Sequence, residues 1–228
     1  MPDNIKKPSA FLHITEPIRS FFETIRGFFL LLFSKKENLG QGQVVMVVPG
    51  LLSSDISTII LRKYLAKKGF LVIGWGLGIN LGRLNVLPTF TNNIKELSKE
   101  HGQKMIIIGW SMGGLFCREA CQQIPDFIKK VITIGSPYAD VYAPNNARWA
   151  YNLFNKQDKE NKEKAERLHI QTEMPSLSIY SKTDGIVPWQ ACMEPNVDAD
   201  HKNAEVRSSH FGMGANPAVL KLVLKNLA

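Results

Sequence analysis

The chain has 228 residues, 44% of them hydrophobic and 21% charged, with a formal net charge of +8. That length suits one domain with a sizeable core, and the composition excludes wholesale disorder. The basic excess favours anionic surfaces, but no zinc-finger, helix-turn-helix or RNA-recognition pattern accompanies it, so no nucleic-acid partner is expected.

Residues 1–42 read as a helical segment apart from the rest. In IRSFFETIRGFFLLLFSKK (18–36), Ile18, Phe21, Phe22, Ile25, Phe28, Phe29, Leu32 and Phe33 recur at helical spacing and form one broad apolar stripe. Arg19, Glu23, Thr24 and Arg26 fall largely off it, and Lys35-Lys36 follow it. Two roles fit: peripheral contact with a membrane interface, or a cover over sheet or cap. An exposed patch of that size is uncommon on a soluble protein, and Glu16 and Glu23 weaken attraction to anionic lipid, so the covering role is expected. The run FFLLLF (28–33) is too short and too closely flanked by charge for a secretory signal, and no segment is long enough to span a bilayer. Three cysteines, Cys117, Cys121 and Cys192, do not make a disulfide framework. Buried free thiols and a cytoplasmic protein are expected, with membrane association as the alternative.

From residue 43 onward apolar runs alternate with helical patterns. QVVMVVPG (43–50) predicts a first strand, TIILRKYLAKKG (58–69) a helix with a glycine stop, and FLVIGWG (70–76) a second strand. PTFTNNIKELSKEHG (88–102) opens with proline and ends with glycine, as a helix does. MIIIGWS (105–111) predicts the third strand, followed by a helix to about residue 123. KKVITIGSP (129–137) and SLSIYSKTD (176–184) predict the fourth and fifth, AEVRSSH (204–210) a weaker sixth, and PAVLKLVLKNL (217–227) a closing helix. Continuous apolar strands separated by helices imply an α/β, mostly parallel, doubly wound sheet of about six strands over residues 43–228. Residues 138–174 break the rhythm and read as a helical cap insertion. Within them KQDKENKEKAER (156–167) carries five basic and four acidic side chains, the pattern of a solvated helix face.

Chemistry concentrates at the strand C-terminal ends, where open α/β sheets put their sites. Gly109-Trp110-Ser111-Met112-Gly113 follows an apolar strand and opens a helix, the setting of a nucleophile elbow. Its glycines have a steric reason, since a strained strand-to-helix turn leaves little room beside the serine. A serine nucleophile needs a base and an orienting acid, which follow in this topology in the order Ser, Asp, His. Asp184, after the fifth strand, and His210, after the sixth, meet that order; Asp140, after the fourth, is the competing acid. His201, with Asp198 and Asp200, falls in the loop before the sixth strand, and His13, His101 and His169 are not at strand C-terminal ends. An oxyanion needs fixed donors, for which the N–H groups of Met112 and of Leu51, in VVPGLLSS, are the candidates.

These stretches, VVPGLLSS, IIIGWSMGG, VITIGSP, YSKTDGIVPW and SSHFGMGANPAVL, resemble the α/β-hydrolases of the esterase/lipase type, from about residue 43 to the end. The resemblance implies the α/β-hydrolase fold, a triad of Ser111, Asp184 and His210, and oxyanion donors at Leu51 and Met112. It departs in having Pro49-Gly50 where many lipases have His-Gly, and in lacking the usual first strands. The expected activity is hydrolysis of a small-molecule acyl ester or lipid with no cofactor and no metal. A thioesterase or acyltransferase would use the same groups, and a non-catalytic binding module of this fold is the reading from another class.

Overall fold

The structure, a computed structural model, describes residues 5–155 and 167–227. The solvated helix face expected over 156–167 therefore lies, apart from Arg167, outside the described residues.

Six strands form one sheet: β1 (Val44–Val48), β2 (Leu71–Gly74), β3 (Met105–Trp110), β4 (Ile128–Ile134), β5 (Ser176–Tyr180) and β6 (His201–Glu205). Their order is β2-β1-β3-β4-β5-β6, and every neighbouring pair is parallel. The helices described are α1 (Ala10–Phe33), α2 (Ile59–Lys67), α3 (Leu87–Glu100), α4 (Met112–Gln123), α5 (Arg148–Phe154) and α6 (Pro217–Leu227). Pleating divides each strand between two layers. In β1, Val45 and Val47 join Leu61, Leu65, Val219 and Leu220 of α2 and α6 on one face. Val44, Met46 and Val48 join Phe90 and Ile94 of α3 and Phe116 and Cys117 of α4 on the other. Both faces of β1 and β3 are thus buried, which is why their sequences are continuously apolar. All three cysteines are free and buried, and burial pushes the Cys121 thiol up to about 12, so they are packing groups.

Because all strands run the same way, the segments after β1, β3, β5 and β6 emerge at one edge. The sixth strand differs from its expected span of 204–210: it is His201–Glu205, paired with β5 from Ser176↔His201 to Tyr180↔Glu205. The last rung is Val206 N–H to Tyr180 O. Beyond it side chains take the backbone N–H groups, Ser181 Oγ that of Ser208, Glu23 that of Ser209, and Glu16 those of His210 and Phe211. A chain whose donors are claimed this way cannot continue a ladder. His201 consequently opens β6 rather than preceding it.

The N-terminal segment also differs from expectation. It does form a helix, α1, but its apolar stripe does not cover the sheet; Leu30 and Leu31 reach the core while Ile18, Phe21, Phe22, Ile25, Phe28, Phe29, Leu32 and Phe33 are exposed. The polar edge faces inward, with Glu16 at 0% exposure. Two glycines permit backbones to touch there. A Cβ on Gly27 would lie 1.9 Å from the Ala215 carbonyl oxygen, and one on Gly185 would lie 2.4 Å from that of Leu12. Lys67 Nζ then donates to the Leu31 carbonyl at 2.7 Å, closing the far end of the helix onto α2. Among the described residues no helix is long and apolar enough to cross a membrane.

Candidate active site

Ser111 stands between β3 and α4 with φ of 52°, a left-handed conformation that costs a non-glycine residue free energy. The neighbours make that turn possible. A Cβ on Gly109 would lie 2.4 Å from the Gly114 backbone, and one on Gly113 would lie 2.4 Å from the Val48 carbonyl. Ser111 N–H donates to the Ile134 carbonyl at 2.8 Å, and Trp110 Nε1 donates to the His210 carbonyl at 3.2 Å, so the elbow is tied to the next strand and to the histidine loop.

The three residues that the sequence placed in the order Ser, Asp, His form a continuous line of hydrogen bonds. Asp184 Oδ2 lies 2.6 Å from His210 Nδ1, and His210 Nε2 lies 2.9 Å from Ser111 Oγ. Ionised Asp184 is acceptor-only, which puts the proton on Nδ1 and leaves Nε2 to accept from the Ser111 hydroxyl. The other oxygen, Asp184 Oδ1, accepts from the Ile186 and Val187 N–H groups at 2.7 and 2.8 Å, fixing the carboxylate in plane. Asp184 and His210 are buried, and Ser111 is half-buried. Burial of the imidazole opposes its protonation, but the charge and hydrogen bond of Asp184, with the charge of Glu16, outweigh it and raise His210 above the ordinary histidine value.

The competing groups sit elsewhere. Asp140 accepts from the Tyr142 N–H at 3.0 Å in a local turn. His201 lies at the opposite sheet edge, held by Asp198 at 2.8 Å through Nδ1 and by the Thr172 carbonyl at 2.9 Å through Nε2. Leu51 and Met112 both line the cavity beside Ser111. Met112 opens α4, so its N–H has no acceptor within the helix, and neither N–H donates to another backbone group among the described residues. A Cβ on Gly50 would come within 3.3 Å of Ser111 Cβ, which measures how closely the Leu51 loop passes the serine.

Three contributors were not singled out in the sequence. Asn80, fully buried, donates through Nδ2 to the Pro49 carbonyl at 2.8 Å while its backbone bonds Leu52 and Ser53, so it pins the Leu51 loop. Glu16 Oε1 accepts from the Gly185 and His210 N–H groups at 2.8 and 3.0 Å, and Oε2 accepts from Phe211 at 3.1 Å. Glu23 accepts from Ser209 Oγ at 2.6 Å and from the Ser209 N–H at 2.9 Å. The helix therefore grips both loops that carry Asp184 and His210. The spacing of Glu16, Glu23 and Gly27 along one line of the helix, off its apolar stripe, was the available signal.

The cavity at Ser111 has a volume of about 110 Å³ and is walled largely by apolar side chains, among them Leu84, Leu115, Val141, Tyr151 and Leu168. From the 138–174 insertion, Val141, Asn145, Ala147, Arg148, Tyr151 and Leu168 line it, whereas Trp149 is 69% exposed and Leu153 faces solvent. Tyr138 is buried away from the cavity, with its hydroxyl on Glu194 at 3.0 Å.

The family described as alpha/beta hydrolase fold matches residues 87–156, which span α3, β3, the elbow, α4, β4 and α5. The chain is similar in structure to the monoacylglycerol lipase of Paleococcus ferrophilus, with a TM-score of 0.59, 17% identity, and coverage of 84% of this chain and 97% of that one. It is similar to naproxen esterase (carboxylesterase NP) from Bacillus subtilis, with a TM-score of 0.59, 12% identity, and coverage of 93% and 98%. A thioesterase domain from the curacin biosynthetic pathway aligns with a TM-score of 0.56 at 13% identity, over 84% and 92%. No curated protein sequence matches the chain significantly. Parallel sheet order, strand-elbow-helix geometry and these likenesses agree: the chain has the α/β-hydrolase fold.

Proposed function

We propose that the protein is a serine hydrolase that cleaves carboxylic esters through Ser111, His210 and Asp184. The observation that carries this reading is the hydrogen-bonded line from Asp184 through His210 to Ser111, ending at an apolar cavity. Ser111 Oγ attacks the ester carbonyl carbon and its proton passes to His210 Nε2. The oxyanion accepts from the Leu51 and Met112 N–H groups, near the N-terminal end of α4, whose dipole favours negative charge. The carbon–oxygen bond to the alcohol then breaks, and His210 gives its proton to the departing oxygen. Water attacks the acyl-serine, returns a proton to His210, and releases the acid as Ser111 recovers its own. Asp184 holds the imidazole in one tautomer and balances its positive charge. The acyl chain occupies the apolar cavity.

A fluorophosphonate probe and a panel of p-nitrophenyl esters and acyl thioesters of increasing chain length test this. Wild-type protein should be labelled and should hydrolyse at least the shorter esters. Ser111→Ala should lose both properties, with turnover down several orders of magnitude and the fold retained. A folded wild-type protein that neither labels nor hydrolyses any member would leave a binding module instead, and faster turnover of thioesters than of matched esters would move the substrate class.

A further inference from the structure

We infer that the outer face of α1 docks onto an anionic membrane surface. The helix has 24 residues, so it extends about 36 Å. Along its whole length large apolar side chains stand in solvent, from Phe11 at 75% exposure to Phe33 at 76%. An amphipathic helix on a soluble protein ordinarily turns such a stripe inward. Here the inward side is taken by Glu16, Glu23 and Gly27, and rolling the stripe inward would break the bonds from Gly185, His210, Phe211 and Ser209 and part the Gly27 contact with Ala215. Arg19 adds a bond to the Thr183 carbonyl at 2.7 Å. The stripe is held outward.

Charge selects the occupant. Over residues 5–36 the acids are Glu16 and Glu23, and both spend their charge on internal donors. What remains outside is basic: Lys6 and Lys7 before the helix, Arg26 within it, Lys35 and Lys36 after it, all exposed. Lys36, Lys63 and Lys67 rim a groove shared with Phe28 and Leu32, and the one acid on it, Glu37, is paired with Lys68. An apolar stripe between cationic ends matches a bilayer interface carrying anionic headgroups. A second copy fits less well. Pairing two stripes in either direction sets one basic end against another, with no exposed acid from the helix to relieve it. The surface also lies beside the chemistry, since Phe211, next to His210, is itself half exposed and hangs from Glu16.

The test is co-sedimentation of the full chain with vesicles of phosphatidylcholine alone and of phosphatidylcholine with 30% phosphatidylglycerol. Binding should be at least tenfold stronger to the anionic vesicles. It should fall at least tenfold in Phe22→Gln/Phe29→Gln and in Lys35→Glu/Lys36→Glu, with hydrolysis of a short soluble ester unchanged. Because the native cysteines are buried, Phe22→Cys carrying an environment-sensitive fluorophore gives an independent reading. Its emission should shift to the blue on adding anionic vesicles. No binding and no shift would overturn the inference. So would equal binding to neutral vesicles, or a lipid-free dimer in sedimentation velocity that the phenylalanine variants dissociate.

Discussion

Glu16→Gln is the perturbation that best probes how the N-terminal helix holds the candidate site. The carboxylate is fully buried and accepts the N–H groups of Gly185, His210 and Phe211, with Arg19 Nη2 at 2.9 Å. Glutamine has the same shape but presents one carbonyl oxygen and one NH2. Whichever way the amide turns, at least one backbone N–H meets a donor, and the bonds that survive lose their charge assistance. A buried donor left unpaired costs about 1–3 kcal/mol, so the whole change should destabilise the fold by about 2–4 kcal/mol. For a domain of this size that lowers the melting temperature by about 5–15 °C. The residues displaced flank Asp184 and include His210, and misplacement on the ångström scale costs about 100-fold in rate, so kcat should fall by about 10-fold or more. A second readout separates positioning from mere stability. The Glu16 charge helps to raise His210, after the opposing effect of burial and together with the larger contribution of Asp184. Removing that charge lowers the pH at which the imidazole loses its proton, and in the proposed mechanism His210 must be neutral to take the serine proton. The acid limb of kcat/KM against pH should therefore move to lower pH in Glu16→Gln. Calorimetry and a pH–rate profile on p-nitrophenyl acetate measure both. A variant with wild-type melting temperature and an unmoved acid limb would refute the reasoning.

Other outcomes can be checked with the same protein. Asp184→Asn should lower kcat by about 10⁴-fold, the loss seen when a triad aspartate is replaced elsewhere, while Asp140→Asn should stay near wild type; the reverse result in the ester assay would move the orienting acid to Asp140. Tyr151→Ala should change acyl-chain preference across an ester panel and Trp149→Ala should not, because Tyr151 lines the cavity and Trp149 faces solvent. Thermal stability should decline as pH rises from about 6.5 through the raised values of His201 and His210. For His201, burial opposes protonation but the Asp198 partner and the Thr172 carbonyl outweigh it; the folded state then holds the proton more tightly than the unfolded chain, and the stabilisation is complete below the unfolded value. Asp198→Asn should flatten that dependence in melts from pH 5 to pH 9.

Much of this architecture is local and was therefore legible in the sequence. Strands buried on both faces must be continuously apolar, so VVMVV and MIIIGW announce β1 and β3 and with them a parallel sheet. An elbow needs small residues for steric reasons that act within five positions, and parallel topology brings segments after β3, β5 and β6 to one edge whatever lies between. The rest depended on partners distant in the chain. The periodicity of α1 defines its stripe but contains nothing about where the body lies, and the side that docks was decided by Gly185, Ser208, Ser209 and His210, 169 to 194 positions away. The Ser181 hydroxyl and then the same carboxylates ended β6 five residues earlier than its sequence suggested, by taking the N–H groups of Ser208 to Phe211. Burial of an ionised side chain follows from donors brought to it by folding, and no helical period records those donors.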